Sequence, residues 1–226
     1  MRTDYEGHDS AYRKLKADGK IGWSSTGDID ILSANVERLV QAGHVPKSGR
    51  LLELGCGAGD LSLRLHGRGY ELHGIDISIT AVEWAQEKAT QGGIQAEFKV
   101  GNVLDLKGYP DSYFDAVLDG HCFHCIIGED RKRFLASARR VLRSDGVLMI
   151  ATMCNEPGVG WAKEHFDSAS RNMIADNGVA VRHLGRAEDI LQEVSDAGLA
   201  VRHWEVIPAP DKADQDELLI SCMKKE

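Results

Sequence analysis

The chain has 226 residues, 42% of them hydrophobic, and carries 27 Lys and Arg against 35 Asp and Glu, a formal charge of -8. That length favours one α/β domain with an appended or inserted segment over two separate domains. The acidic balance argues against a surface that tracks phosphates, hence against nucleic acid as partner. With no stretch approaching the roughly eighteen apolar residues of a membrane span, and no apolar targeting core after Met1, a soluble cytoplasmic protein without a membrane partner is expected.

Residues 1–45 read as an N-terminal helical cap over an active site. Tyr5, Tyr12 and Trp23 precede a helix that carries Ile31, Leu32, Val36, Leu39 and Val40 on one face, with Gly43 placed to stop it. Tyr12 and Trp23 are candidates for substrate contact, although plain packing would explain both equally well.

The remainder, 46–226, opens on Leu51-Leu-Glu53-Leu-Gly55-Cys56-Gly57-Ala-Gly59-Asp60-Leu61. It reads as a buried strand running into a glycine-lined turn and then a helix. Three glycines at alternate positions remove β-carbons where backbone must lie flush against a ligand, and the helix start offers free N–H groups. A dinucleotide fingerprint would put its third glycine at position 60, where this chain has Asp60. The turn reads as a nucleoside-cofactor site whose spacing departs from the dinucleotide pattern.

Residues 70–75 form the next apolar run and end in Asp76, about twenty positions past the first glycine, where a carboxylate at a strand tip can accept both hydroxyls of a ribose. Thr80 and Glu83 have the spacing of a capping box. Further strands are expected over 95–100, 114–119, 146–152, 199–207 and 217–223. Between them Phe134, Leu135, Ala138, Val141 and Leu142 share one helical face, as do Ile190, Leu191, Val194 and Ala197, with Gly198 as a stop. This alternation implies an α/β, doubly wound, mostly parallel seven-stranded sheet with helices on both faces, whose ligand lies beyond the carboxyl ends of the strands.

The pattern Glu53-x-Gly55-x-Gly57-x-Gly59 resembles motif I of the class I S-adenosylmethionine-dependent methyltransferases. Phe98–Leu106, Phe114–His121, Val141–Ile150 and Ala197-Gly198-Leu199 are similar to later segments of that family, so the resemblance runs from about residue 48 onward. It implies a Rossmann-like methyltransferase fold closed by a C-terminal antiparallel β-hairpin, S-adenosyl-L-methionine as cofactor with S-adenosyl-L-homocysteine as product, and a small-molecule methyl acceptor. It also implies roles. Glu53 would orient the methionine amine or the glycine turn. Gly55, Cys56, Gly57 and Gly59 would let backbone approach the methionyl part. Asp76 would hold the ribose, Ile77 would stack on adenine, and Asn102 and Val103 would meet its edge. Backbone around Asp119 and Gly120 would face the amino group. Asn102 stands where the family usually carries an acid, and Ile77 and Val103 would serve equally as core.

Cys56, Cys122, Cys125, Cys154 and Cys222 are an odd set without framework spacing, so free thiols are expected. His121-Cys122-Phe123-His124-Cys125 packs imidazoles and thiols just past the fourth strand. Cys122 and Cys125 have zinc-like spacing, yet no second pair completes a tetrahedral site, and no metal is expected. Methyl transfer from a sulfonium needs positioning and, for an alcohol or amine acceptor, removal of a proton. His121 is the candidate base, with structural use of its imidazole the alternative. His124 is a candidate for substrate contact or for packing.

Residues 155–184 read as a lid insertion in which glycines flank Trp161, a further candidate for substrate contact. Arg171 and Arg182 could pair with an acidic substrate or lie on the surface. Arg131, Lys132, Arg133, Arg139, Arg140 and Arg143 read as a solvated helix face, and the acidic run 211–217 as an exposed turn. Monomer and homodimer are equally compatible with the sequence. The competing readings are a nicotinamide-dependent oxidoreductase and a non-catalytic S-adenosylmethionine-binding module.

Overall fold

Strand β1 (Gly49–Leu54) buries Leu51, Leu52, Glu53 and Leu54 in succession, the pattern of a strand covered on both faces. In this computed structural model, which describes residues 2–209 and 215–225, it stands in the middle of a seven-stranded sheet. Its parallel partners are β2 (Tyr70–Asp76) and β4 (Phe114–Gly120). The sheet continues through β3 (Ala96–Val100) on one side. On the other lie β5 (Leu142–Cys154), β10 (Asp216–Lys224) and β9 (Leu199–Ile207). The order is β3-β2-β1-β4-β5-β10-β9, with only the last pairings antiparallel, a Rossmann-like methyltransferase fold ending in a hairpin-like strand pair. Strand order reverses between β1 and β4, so a crevice opens above their carboxyl ends.

Successive residues of each strand feed opposite layers. Leu52, Leu54, Phe114, Val117, Leu148 and Ile150 join Phe134, Leu135, Ala138 and Val141 of α5 (Asp130–Val141) and Ile190 and Val194 of α7 (Ala187–Asp196). Leu51, Leu72, Ala116, Leu118, Met149 and Leu219 face the other way onto Leu32, Val36 and Leu39 of α2 (Thr26–Gln41) and Leu61 of α3 (Asp60–Arg64). Each of the larger side chains among them contributes about 1.5 to 3 kcal/mol on burial, and this two-sided core fixes the sheet that carries the site.

Helix α2 begins at a Ser25–Asp28 capping box, and Gly43 follows it at a φ of 79°, where a side chain would be strained. The capping box expected at Thr80–Glu83 does not form. Ser78 caps α4 (Ile79–Gly92) instead, accepting from Ala81 N–H, while Thr80 N–H donates to Asp9 Oδ1 at 2.9 Å. Asp9 lies on α1 (Gly7–Ala17), a helix that packs on α4 and was not anticipated. Leu142, expected on the face of α5, is the first residue of β5.

Residues 155–184 hold the short helix α6 (Gly160–Glu164) and a separate antiparallel sheet of β6 (Phe166–Asp167), β7 (Asn172–Ile174) and β8 (Ala180–His183). Strands of two to four residues leave no readable alternation in sequence. Of the acidic run, residues 211–214 lie outside the described residues, and Asp216 and Glu217 open β10 rather than a turn. Among the described residues no helix is long and apolar enough to cross a membrane.

Candidate functional site

The carboxyl ends of β1, β2 and β4 meet around the glycine turn. Glu53, 3% exposed, accepts Ser62 N–H at 3.0 Å and Ser62 Oγ–H at 2.5 Å, and so holds the start of α3. Burial pushes its carboxyl up to about 8 against the pull of those hydrogen bonds. Gly57 has a φ of 52°, and a β-carbon there would fall 2.3 Å from the Tyr12 hydroxyl. A β-carbon on Gly55 would fall 2.6 Å from Cys122 Cβ. Both contacts demand glycine.

Asp76 Oδ2 accepts Gly57 N–H at 2.9 Å and Oδ1 accepts Ser78 N–H at 2.8 Å. Burial raises its pKa while these bonds lower it. Two acceptor sites of the carboxylate remain for a ligand. Ile77 is half-buried just past β2, with Ile79 exposed at the start of α4 and Val100 exposed at the end of β3.

The other expected contacts are more constrained. The Cys56 side chain packs with Val82, Ala85 and Phe98, leaving only its backbone to the turn. Asn102 Oδ1 accepts Leu104 N–H at 2.8 Å, closing a local turn, so its carbonyl already has a donor. Val103 is a core side chain whose carbonyl accepts the Ser137 hydroxyl.

Past β4 the chain turns tightly. Asp119 Oδ1 accepts Cys122 N–H and Phe123 N–H, both at 2.9 Å, while Oδ2 is buried without a hydrogen-bond partner among the described residues. Burial pushes this carboxyl up to about 7. Gly120 leaves room for Glu53, whose Oε1 would sit 3.0 Å from a β-carbon there.

His121 follows at a φ of 69°, a left-handed conformation that costs a non-glycine residue about 1 kcal/mol or more. Its Nε2 lies 2.5 Å from Glu217 Oε1 on β10. Burial pulls the imidazole down, but the hydrogen bond and charge of Glu217, with Asp119 and Asp28, outweigh it and leave its pKa raised. His124 is packed inward at 4% exposure, its ring 5.8 Å from that of His121 and its pKa pulled well down by burial. Of the two uses expected for it, substrate contact and packing, the burial agrees with packing.

Tyr12 is buried against the glycine turn, and Trp23, half-exposed, packs on it with ring centres 5.3 Å apart. Trp161 is 49% exposed and stacks on His165 at 4.4 Å. Arg171 is engaged by Glu156 and the Leu184 carbonyl. Arg131, expected on a solvated face, is 3% exposed: it pairs with Glu193 and donates to the carbonyls of Phe123 and Ile126, bracing the 3-10 turn Phe123–Cys125. Among the described residues no three His, Cys, Asp or Glu side chains converge as a metal-binding group.

Sequence reasoning missed Glu217, Asn35, Asp9 and Arg131 as parts of this site. Asn35 Nδ2 lies 3.4 Å from Glu217 Oε2, and Asp9 Oδ1 accepts both Ser78 Oγ–H and Thr80 N–H. Nothing local marks Glu217, Asn35 and Asp9, which act across 69 residues or more, and Arg131 finds its carboxylate partner across 62. The capping of α4 from α1 left no signal beyond an acid in an N-terminal helix.

Residues 52–150 match the family described as "Methyltransferase domain". The chain is 29% identical over 153 residues to a ribosomal RNA small subunit methyltransferase C of Alcanivorax borkumensis, a match that takes in 64% of this chain and 45% of that one. It is 34% identical over 108 residues to an ajmaline N-methyltransferase of Rauvolfia serpentina, which takes in 46% and 36%. The chain thus spans less than half the length of these curated relatives. Among solved structures it resembles a 1,6-didemethyltoxoflavin-N1-methyltransferase of Burkholderia thailandensis, solved with S-adenosylhomocysteine bound. That match has a TM-score of 0.71 and 22% identity and covers 97% of this chain and 88% of that one. With the strand order, the glycine turn and the carboxylate at the tip of β2, these matches identify residues 52–150 as a methyltransferase domain of the S-adenosylmethionine-dependent kind.

Proposed function

We propose that this protein transfers the methyl group of S-adenosylmethionine to a small-molecule acceptor through an oxygen, nitrogen or sulfur nucleophile, with His121 removing the acceptor's proton. The observation that carries the reading is the convergence of three groups at the strand-order reversal: a turn where β-carbons would collide, the Asp76 carboxylate, and an imidazole in a strained turn. The residues fit the cofactor. Main-chain groups of Gly55, Cys56, Gly57 and Gly59 would meet the methionyl part, with Tyr12 and Cys122 packed over the turn, and Asp76 has acceptor sites left for ribose hydroxyls. Ile77 offers an apolar face to adenine, whose edge would meet Asn102 and Val103 through the Asn102 amide and backbone. The carbonyls of Asp119 and Gly120 would take the amino group, beside the unpartnered Asp119 Oδ2.

When bound, S-adenosylmethionine supplies an electrophilic methyl on a sulfonium that leaves as a neutral thioether, so no acid is needed at the leaving group. What the protein adds is alignment, exclusion of water and a proton acceptor. Segment 1–45 acts as a cap, with Tyr12 and Trp23 closing over the turn, and segment 155–184 as a lid whose Trp161 meets the acceptor. The names of an alkaloid N-methyltransferase and a toxoflavin-precursor N1-methyltransferase among its relatives favour a small acceptor. The formal charge of -8 disfavours RNA, although one relative is named for ribosomal RNA. Free thiols fit a cytoplasmic setting.

Calorimetric titration with S-adenosylmethionine, S-adenosylhomocysteine and NAD tests the cofactor. Binding of NAD alone would overturn it. A screen that follows S-adenosylhomocysteine release over phenols, amines, thiols and ribosomal RNA tests the acceptor, and turnover on RNA alone would sink the small-molecule class.

A further inference from the structure

Histidines in this fold are mostly used up by their neighbours. His73 has Glu97 on Nδ1 and Glu71 on Nε2. His165 has the Trp161 carbonyl on Nδ1 and Asp176 on Nε2. His8 has a backbone carbonyl on Nδ1 and no hydrogen-bonded carboxylate. Among the described residues His121 alone has a carboxylate hydrogen-bonded to one ring nitrogen and no hydrogen bond on the other. Its side chain is 34% exposed, and Nδ1 is not among the buried polar atoms that lack a partner, so it is reached from outside.

We propose that Glu217 is a positioning residue that holds neutral His121 as the Nε2–H tautomer, leaving Nδ1 as the lone-pair nitrogen that takes the acceptor's proton. This deepens the reading of His121 as base and rests on it. A ring nitrogen 2.5 Å from a carboxylate oxygen must carry the proton between them, so the remaining nitrogen is the acceptor. Glu217 is itself held. Its side chain is largely covered, Asn35 Nδ2 reaches its second oxygen at 3.4 Å, and Arg38 in turn reaches Asn35 Oδ1 at 3.4 Å. The strand register fixes Glu217 opposite Met153 of β5 and Ile207 of β9, so the carboxylate is delivered by the sheet.

The pair also stabilises the charge that forms. Once Nδ1 accepts a proton the ring is an imidazolium, and Glu217 lies against it. Asp119 from β4 and Asp28 from α2 add to that effect, while the inward-packed His124 of the 3-10 turn opposes it by sitting beside the ring. Proton balance is simple: the acceptor's proton moves to Nδ1 as its heteroatom forms the new carbon bond, and solvent later removes it.

The test is side-chain nitrogen NMR of the full chain, with His121→Asn to assign the ring and S-adenosylmethionine titrations on the same samples. In the wild type, neutral His121 should show Nε2 protonated and Nδ1 bare, with a titration midpoint above the ordinary 6.5. Glu217→Gln should lower that midpoint by about one pH unit or more. Glu217→Asp, which withdraws the carboxylate by one methylene, should fall between and carries the test if the glutamine variant does not fold. An Nδ1–H tautomer in the wild type, or a midpoint indifferent to either substitution, overturns the proposal. Failure of wild-type chain to bind S-adenosylmethionine would instead overturn the methyl-transfer reading and leave the imidazole result standing.

Discussion

Asp76 and Gly57 lie 19 residues apart and are joined by a 2.9 Å hydrogen bond from the Gly57 amide to Asp76 Oδ2. The carboxylate at the tip of β2 therefore shapes the turn after β1 before any ligand arrives. Its other oxygen takes Ser78 N–H at the start of α4, so one side chain ties together three segments of the site.

Asp76→Ala should weaken S-adenosylmethionine binding by about 1 to 3 kcal/mol and also lower stability by a comparable amount, because Gly57 N–H and Ser78 N–H are left buried without an acceptor. Calorimetry and thermal unfolding measure the two losses separately. Unchanged affinity with lowered stability would confine Asp76 to bracing the turn.

Gly57→Ala should cost upward of about 1 kcal/mol from the left-handed backbone alone, plus displacement of Tyr12, whose hydroxyl occupies the space of the new methyl. In the background of Tyr12→Ala the same substitution should cost less, since the collision is gone while the φ penalty remains. A double-mutant cycle in urea checks this, and strict additivity would mean α1 already moves freely off the turn.

Stability should fall as pH rises from about 5 to 8. Burial raises Glu53 to about 8 and Asp119 to about 7, so in that window the folded chain keeps protons that the unfolded chain has released. Stabilisation from each is complete below the ordinary carboxyl value and is lost as pH climbs through the raised one. Glu53→Gln and Asp119→Asn should flatten the slope of urea midpoint against pH. A slope unaltered in both variants would mean these carboxyls are ionised in the fold.

Arg131→Ala should destabilise by roughly 2 to 4 kcal/mol, since it leaves Glu193 and two carbonyls of the 3-10 turn without their donor, the lower end allowing for the partial exposure of Glu193. Thermal or urea unfolding measures it. A loss under about 1 kcal/mol would mean the turn holds without this brace.

Much of the fold was legible because it is written in local periodicity. Seven strands of the main sheet were read to within a few residues, since most bury an apolar run and β1, β2 and β3 are each followed closely by glycine or a helix cap. The miniature sheet at 166–183 was not, because its strands are too short and polar to show alternation. The Thr80–Glu83 cap failed for a related reason: Asp9, far away in sequence, supplied the acceptor that a local glutamate would have provided.

The site divides in the same way. The glycine turn and Asp76 could be read from spacing, because a nucleoside's shape demands bare backbone and a carboxylate at fixed offsets along two neighbouring strands. Arg131 looked solvated because its sequence neighbours are charged, yet the helix rotates it under Phe123, where its planar head can donate to two carbonyls.

The amino-acid sequence by itself determined the α/β class, the cofactor-shaped turn and the carboxylate beside it, since all three depend on interactions within a strand, a turn and a helix in succession. Only the tertiary structure decided which histidine has a carboxylate, and which of its nitrogens is left open. That depends on Glu217 of a late antiparallel strand being hydrogen-bonded into register beside β5, a contact across 96 residues that no local pattern encodes.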